Sequence, residues 1–149
     1  MGSGAAAVVA AGLAAIPWFT KAPNPLEQAR PGIEAAMERF RAGYRNRDLD
    51  AVRATFPTLP EDVERAMQRM FRDCLLYEVT FDQMSVELAA PDSSTARADV
   101  RSTHTCTPQS AGRQRIAAHH DNYTLKKHGD HWIIEGFSPL PAPSADLKR

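Results

Sequence analysis

Residues 77–88 read Tyr-Glu-Val-Thr-Phe-Asp-Gln-Met-Ser-Val-Glu-Leu, and their periodicity decides the fold. Tyr77, Val79 and Phe81 alternate with polar neighbours, the period of two that marks a half-buried strand. Met84, Val86 and Leu88 alternate again, in the opposite phase. A strand that changes phase without breaking carries an extra residue, so the slip at Asp82-Gln83 is predicted to be a β-bulge, which bends the strand it sits in. The sheet is therefore expected to be curved, with a concave side.

Downstream, Pro91 to Ser94 is a turn. The next strand puts Ala96, Ala98, Val100, Ser102, His104 and Cys106 on one face and Arg97, Asp99, Arg101, Thr103 and Thr105 on the other. After a turn at Thr107 to Arg113, a third strand runs over about 114–127. Gly129-Asp130 then closes a tight hairpin into a last strand, Trp132 to Phe137. In that strand Trp132 and Ile134 oppose Ile133 and Phe137, leaving apolar surface to cover.

Upstream the period is helical. Ile33, Ala36, Met37, Phe40 and Tyr44 fall on one face. Asp48 caps a short second helix through Val52 that Pro57 stops. A third opens at Pro60, with Glu61 and Asp62 in its first turn and Val63, Ala66, Met67, Met70 and Phe71 as its buried stripe. Methionines at that spacing are core filler. Helices in a block followed by hairpin-linked strands give an α+β domain: three N-terminal helices packed on a curved, mostly antiparallel four-stranded sheet.

The chain is long enough for one such domain at 149 residues, and its 18 basic and 18 acidic residues cancel. No net field attracts nucleic acid, and no nucleic-acid partner is expected. Two cysteines, Cys74 and Cys106, are too few for a disulfide scaffold or a thiolate zinc site. They are read as two half-buried free thiols, with pairing in an oxidising compartment as the alternative. Residues 5–19 form an uncharged apolar run ending in Pro17, Trp18 and Phe19. This segment, 1–19, is read as a membrane anchor or export segment, with a disordered tail as the alternative. Without it the chain would be cytoplasmic. Residues 20–32, with Pro23, Pro25 and Pro31, read as a stiff linker, 33–138 as the folded domain, and 139–149 as a Pro-rich tail.

Two stretches carry a family likeness. Phe40-x-x-x-Tyr44 leading into Arg47-Asp48-Leu49-Asp50-Ala51-Val52 and Phe56 resembles the opening of the nuclear transport factor 2-like superfamily, which includes ketosteroid isomerases and SnoaL-like cyclases. Tyr123-x-Leu125-Lys126 followed by Gly129-Asp130-x-Trp132-x-Ile134 is similar to its final hairpin. The likeness covers about Ile33 to Phe137 and implies a cone: a strongly curved sheet wrapped around the first helix, with a cavity at the open end. It also implies sheet-to-sheet homodimers and, given the apolar start and Pro-rich segment, the accessory type of domain appended to larger bacterial proteins. Two departures argue against steroid-type proton transfer. Phe40 stands where the isomerases hold an oxyanion with tyrosine, and the chain enters its third helix where they carry an acidic base.

Among polar residues His104 leads, because it shares a face with Val100 and Cys106, and a buried imidazole can do acid–base work near neutral pH. The structural alternative is a histidine hydrogen-bonded within the sheet. The pocket is expected to be lined by His104, Phe40, Tyr44, Val100, Tyr123 and Trp132. His119 and His120, adjacent on a strand, point apart and cannot grip one metal. A site from His104, Cys106 and His120 is conceivable but not demanded. Asp121 and His120 likewise face apart, and Asp99 belongs to a solvated charge ladder with Arg97 and Arg101. Arg113-Gln114-Arg115 and Lys126-Lys127 are local basic spots on a wet face. No nucleophile motif, phosphate loop or metal-binding helix pattern occurs, so neither cofactor nor metal is expected. The favoured function is a non-catalytic module that binds a small apolar ligand or dimerises. The alternative is a small isomerase, dehydratase or cyclase with His104 as base, assisted by Asp82 or Tyr77.

Overall fold

The computed structural model describes residues 22–89 and 93–141. The apolar run at 5–19 lies outside the described residues, and among those described no helix is long and apolar enough to cross a membrane. Helix α1 (Pro25–Arg45) is followed by α2 (Leu49–Thr55), α3 (Glu61–Asp73) and four strands: β1 (Cys74–Leu88), β2 (Thr95–Pro108), β3 (Arg115–His128) and β4 (His131–Pro139). The strands form one antiparallel sheet in the order β1-β2-β3-β4.

Helix α1 begins eight residues before Ile33, inside the segment expected to be linker. Asn24 caps it by accepting from the Leu26 N–H at 3.0 Å, and Pro25 sits at the first position, where its missing N–H would be unpaired anyway. Pro31 lies inside the helix on its exposed side. The apolar stripe Ile33, Ala36, Met37 and Phe40 is buried against the concave face of the sheet. Gly43 lets α2 approach closely: a β-carbon there would stand 2.7 Å from Val52 Cγ2. Asp48 caps α2 by accepting from the Ala51 N–H.

The β1–β2 register slips between Phe81 and Gln83, where the phase change put the bulge. A second slip, between Thr124 and Leu125 on β3, leaves Glu135 of β4 without a register partner and was not foreseen. It brings Phe137 to the same face as Trp132 and Ile134, so Phe137 stacks on Tyr123 with ring centroids 6.0 Å apart. The last strand therefore does not present Phe137 outward, and Ile133 stands without it on the other face. Gly129, with φ of 62°, makes the two-residue hairpin turn between His128 and His131.

Cys74 and Cys106 form a disulfide across β1 and β2, which overturns the free-thiol expectation. The β1–β2 register sets Cys74 opposite Pro108 and Tyr77 opposite Cys106, which brings the two β-carbons together at the start of β1.

Candidate functional site

The concave face changes character along its length. On β2 the inward residues run Ala96, Ala98, Val100, then Ser102, His104 and Cys106. On β3 they run Leu125, Tyr123, then Asp121 and His119, since Ala98 pairs with Tyr123, Val100 with Asp121 and Ser102 with His119. One end of the cone is thus hydrocarbon and the other polar. At the polar end lies a cavity of about 240 Å³. Its apolar wall is Phe40, Phe56 and Phe137 with Leu59, Val63 and Met70. Its polar wall is Tyr44, Tyr77, Tyr123, His104, His119 and Asp121, and Pro139 sits at the rim.

His104 is tied at both ring nitrogens. Tyr77 Oη and Nδ1 share a hydrogen bond of 2.7 Å, and Ser102 Oγ and Nε2 one of 3.1 Å. A neutral imidazole donates one of these and accepts the other. Burial, with His119 beside it, pushes the His104 pKa down to about 4. The His104 and His119 rings meet edge-on at 4.4 Å between centroids. His104 is accordingly a neutral hydrogen-bond relay at pH 7 and a weak base.

Asp121 is the residue the sequence reading passed over. The residue is only 8% exposed and no side chain among the described residues donates to its carboxylate, whose oxygens open onto the cavity rather than being sealed in the protein. Burial raises its pKa, opposed by His119 and His120. The phenols of Tyr44 and Tyr123 face the same cavity, also without a hydrogen-bond partner among the described residues. Burial holds both far above the ordinary tyrosine value, helped at Tyr44 by Tyr77 and Asp121 and at Tyr123 by Asp121 and Tyr44. Burial also pushes Tyr77 up to about 12. All three are therefore protonated donors at neutral pH. The polar wall joins one carboxylate able to accept a proton to phenols able to donate hydrogen bonds.

Of the residues expected in the pocket, His104, Phe40, Tyr44 and Tyr123 line this cavity. Val100 and Trp132 do not. Both are buried on the concave side but at the hydrocarbon end, Trp132 with its indole against Gly32. Tyr77 does meet His104, whereas Asp82 does not. Asp82 is the bulge residue; it accepts from Thr103 at 2.6 Å and lines a separate hollow with Arg101 and His120, which Asp121 and His119 also reach. The trio His104, Cys106 and His120 is not assembled. Cys106 is in the disulfide and His120 pairs with Asp99 at 2.7 Å on the outer face. Among the described residues no three His, Cys, Asp or Glu side chains are grouped to hold a metal.

No protein-family model matches the sequence. No curated protein matches it significantly. Solved structures match in shape. A nuclear transport factor 2-like superfamily protein from Salmonella enterica serovar Typhimurium superposes with a TM-score of 0.64 at 12% identity, covering 83% of this chain and 99% of that one. A candidate scytalone dehydratase from Novosphingobium aromaticivorans gives 0.65 at 10% identity, over 84% and 97%. A candidate calcium/calmodulin-dependent protein kinase II association domain from Xanthomonas campestris gives 0.60 at 14%, over 76% and 87%. The chain has the cone-shaped α+β fold of the nuclear transport factor 2-like superfamily. At such identities the likeness speaks to fold and leaves activity to the site.

Proposed function

We propose that this chain is a small-molecule acid–base enzyme of the isomerase or dehydratase kind, with Asp121 as the base. The observation that carries this is the unpartnered Asp121 carboxylate in an aromatic cavity, beside the free phenols of Tyr44 and Tyr123. A carboxylate whose pKa burial raises is a better base than a solvated one, and protonated phenols are placed to receive developing negative charge. In the step this supports, Asp121 removes a proton from the carbon next to a carbonyl. The C–H electron pair moves to form the enolate, whose oxygen accepts from Tyr44 or Tyr123. Asp121 then returns the proton to a different carbon, or to a departing hydroxyl that leaves as water. His104 does not take the base's role assigned from sequence; held by Tyr77 and Ser102, it fixes the polar wall. A structural neighbour named for dehydration has the same fold, which is support by analogy only.

The second reading is the non-catalytic module, in which the cavity binds a ligand and the sheet forms a homodimer. It is favoured by the exposure of Ile116, Leu76 and Leu75, at 68%, 60% and 50%, at the start of β3 and β1. The disulfide supports a working site outside the reducing cytosol, consistent with reading residues 5–19 as an export or anchor segment.

The test is deuterium exchange, followed by proton NMR, of a panel of small ketones and β-hydroxy ketones in D₂O with the full chain. Exchange or water loss above buffer should fall by roughly 10²–10⁴-fold in Asp121→Asn and by roughly 10²-fold in the Tyr44→Phe/Tyr123→Phe pair. Asp82→Asn should leave it unchanged. No acceleration with any compound, or full activity in Asp121→Asn, favours the binding module.

A further inference from the structure

A hollow adjoining the aromatic cavity carries the opposite charge from Asp121. Next to the aromatic cavity, and sharing Met70, Tyr77, His104 and His119 with it, is a second hollow of about 350 Å³. Its rim holds Arg69, from α3, and Arg115, from β3. Neither guanidinium has an acidic partner among the described residues; Arg115 donates to the Cys106 sulfur at 3.7 Å. Arg30, Arg41, Arg53, Arg65, Arg72 and Arg97 pair with acids, and Arg39 and Arg47 hold backbone carbonyls, whereas Arg69 and Arg115 do neither. The one acid on the same rim, Asp73, is engaged by Arg72 at 3.4 Å. Two cations without acidic partners thus line one hollow from α3 and β3, with His104 and His119 shared between that hollow and the aromatic cavity.

We infer that the ligand is a small aromatic carboxylate whose ring enters the aromatic cavity and whose anionic group lies in the adjoining hollow, on Arg69 and Arg115. The inference rests on the reading of that cavity as a small-molecule site. Guanidinium forks match carboxylates in geometry as well as charge. A dianion fits less well, because Asp73 lines the same hollow as the two guanidinium groups. A cavity of 240 Å³ is small for a ligand site, which suits one or two rings. The arrangement also orients the molecule: the anion anchored in the adjoining hollow leaves the opposite end of the ligand at Asp121.

The experiment titrates matched acid and amide pairs into the full chain by calorimetry: benzoate and benzamide, cinnamate and cinnamamide, indole-3-acetate and indole-3-acetamide. Arg69→Gln/Arg115→Gln is the test variant, and Arg97→Gln, which removes an outer-face cation paired with Glu87, is the control. Both test positions are exposed, so the fold should survive. Wild type and Arg97→Gln should bind at least one acid about tenfold or more tightly than its amide. That preference should shrink in high salt and vanish in the double variant, with the amide affinity unchanged. Equal affinity for acid and amide in wild type, or a preference that survives the double variant, overturns this inference while leaving the cavity reading intact. Failure of every acid and every amide to bind wild type overturns both.

Discussion

The two ends of the cone are built from the same elements and do opposite things. At one end Ile33, Ala36, Val100, Leu125 and Ile134 are at most 1% exposed, within the hydrophobic core cluster. At the other, farther along the same helix and strands, stand Tyr44, Ser102, His104, Asp121 and His119. Stability is concentrated in the first end. The second carries a neutral histidine held at both ring nitrogens, and a carboxylate and two phenols that have no hydrogen-bond partner among the described residues and open onto the cavity. The difference is what supports our proposal that the polar end serves a small molecule.

The largest effect that would break the comparison is at the hydrocarbon end. Leu125→Ala removes a fully buried side chain and should lower stability by about 3–5 kcal/mol in a denaturant melt. If it costs no more than a surface change, that end is not the stabilising one. The disulfide at the polar end comes next. Its cysteines are 32 residues apart, and Cys74→Ser/Cys106→Ser should cost about 3–4 kcal/mol by loop entropy. Reduction of the wild-type chain should match that variant.

A smaller effect is pH dependence. The folded pKa of His104 is depressed to about 4 from 6.5, so the folded state binds fewer protons than the unfolded state between those values. His104 therefore costs nothing above pH 6.5, and stability is lost as pH falls toward 4, by about 2–3 kcal/mol after allowing for partial exposure. His104→Gln should flatten that acid limb. Asp121 works the other way. Its folded pKa is raised, so its ionised form disfavours folding above the ordinary carboxylate range, and protonation on acidification relieves the cost. The smallest shift is thus a gain: Asp121→Asn should raise the melting temperature at pH 7, with the margin shrinking as pH falls, while abolishing the proposed chemistry.

Much of the fold was legible because alternation and its slips are local signals. The bulge at Asp82, the faces of β2 and the Gly129-Asp130 hairpin all follow from spacing. Less legible was anything that depends on position along the cone. Alternation tells which face a side chain takes but not which end it reaches, so Val100 and Trp132 were assigned to the pocket although they close the hydrocarbon end. Pro25 and Pro31 read as linker because proline usually breaks helices; the Asn24-Pro25 pair is instead a helix start. The slip at Thr124–Leu125 has no sequence mark and turned Phe137 inward. Two cysteines at a separation of 32 carry no geometry of their own. Asp121 could have been found. It shares its parity with Tyr123 and Leu125 on β3, but it was weighed only as a partner for its neighbour His120.

The most direct test of the account is a carboxyl-carbon NMR titration of Asp121 in the isotope-labelled full chain, alongside Tyr44→Phe/Tyr123→Phe. The account predicts a midpoint clearly above the ordinary aspartate value of about 3.9, retained in the double variant because burial rather than the phenols sets it. A midpoint at or below the ordinary value would mean a hydrated or partnered carboxylate, and would contradict Asp121 as the base of a buried acid–base site.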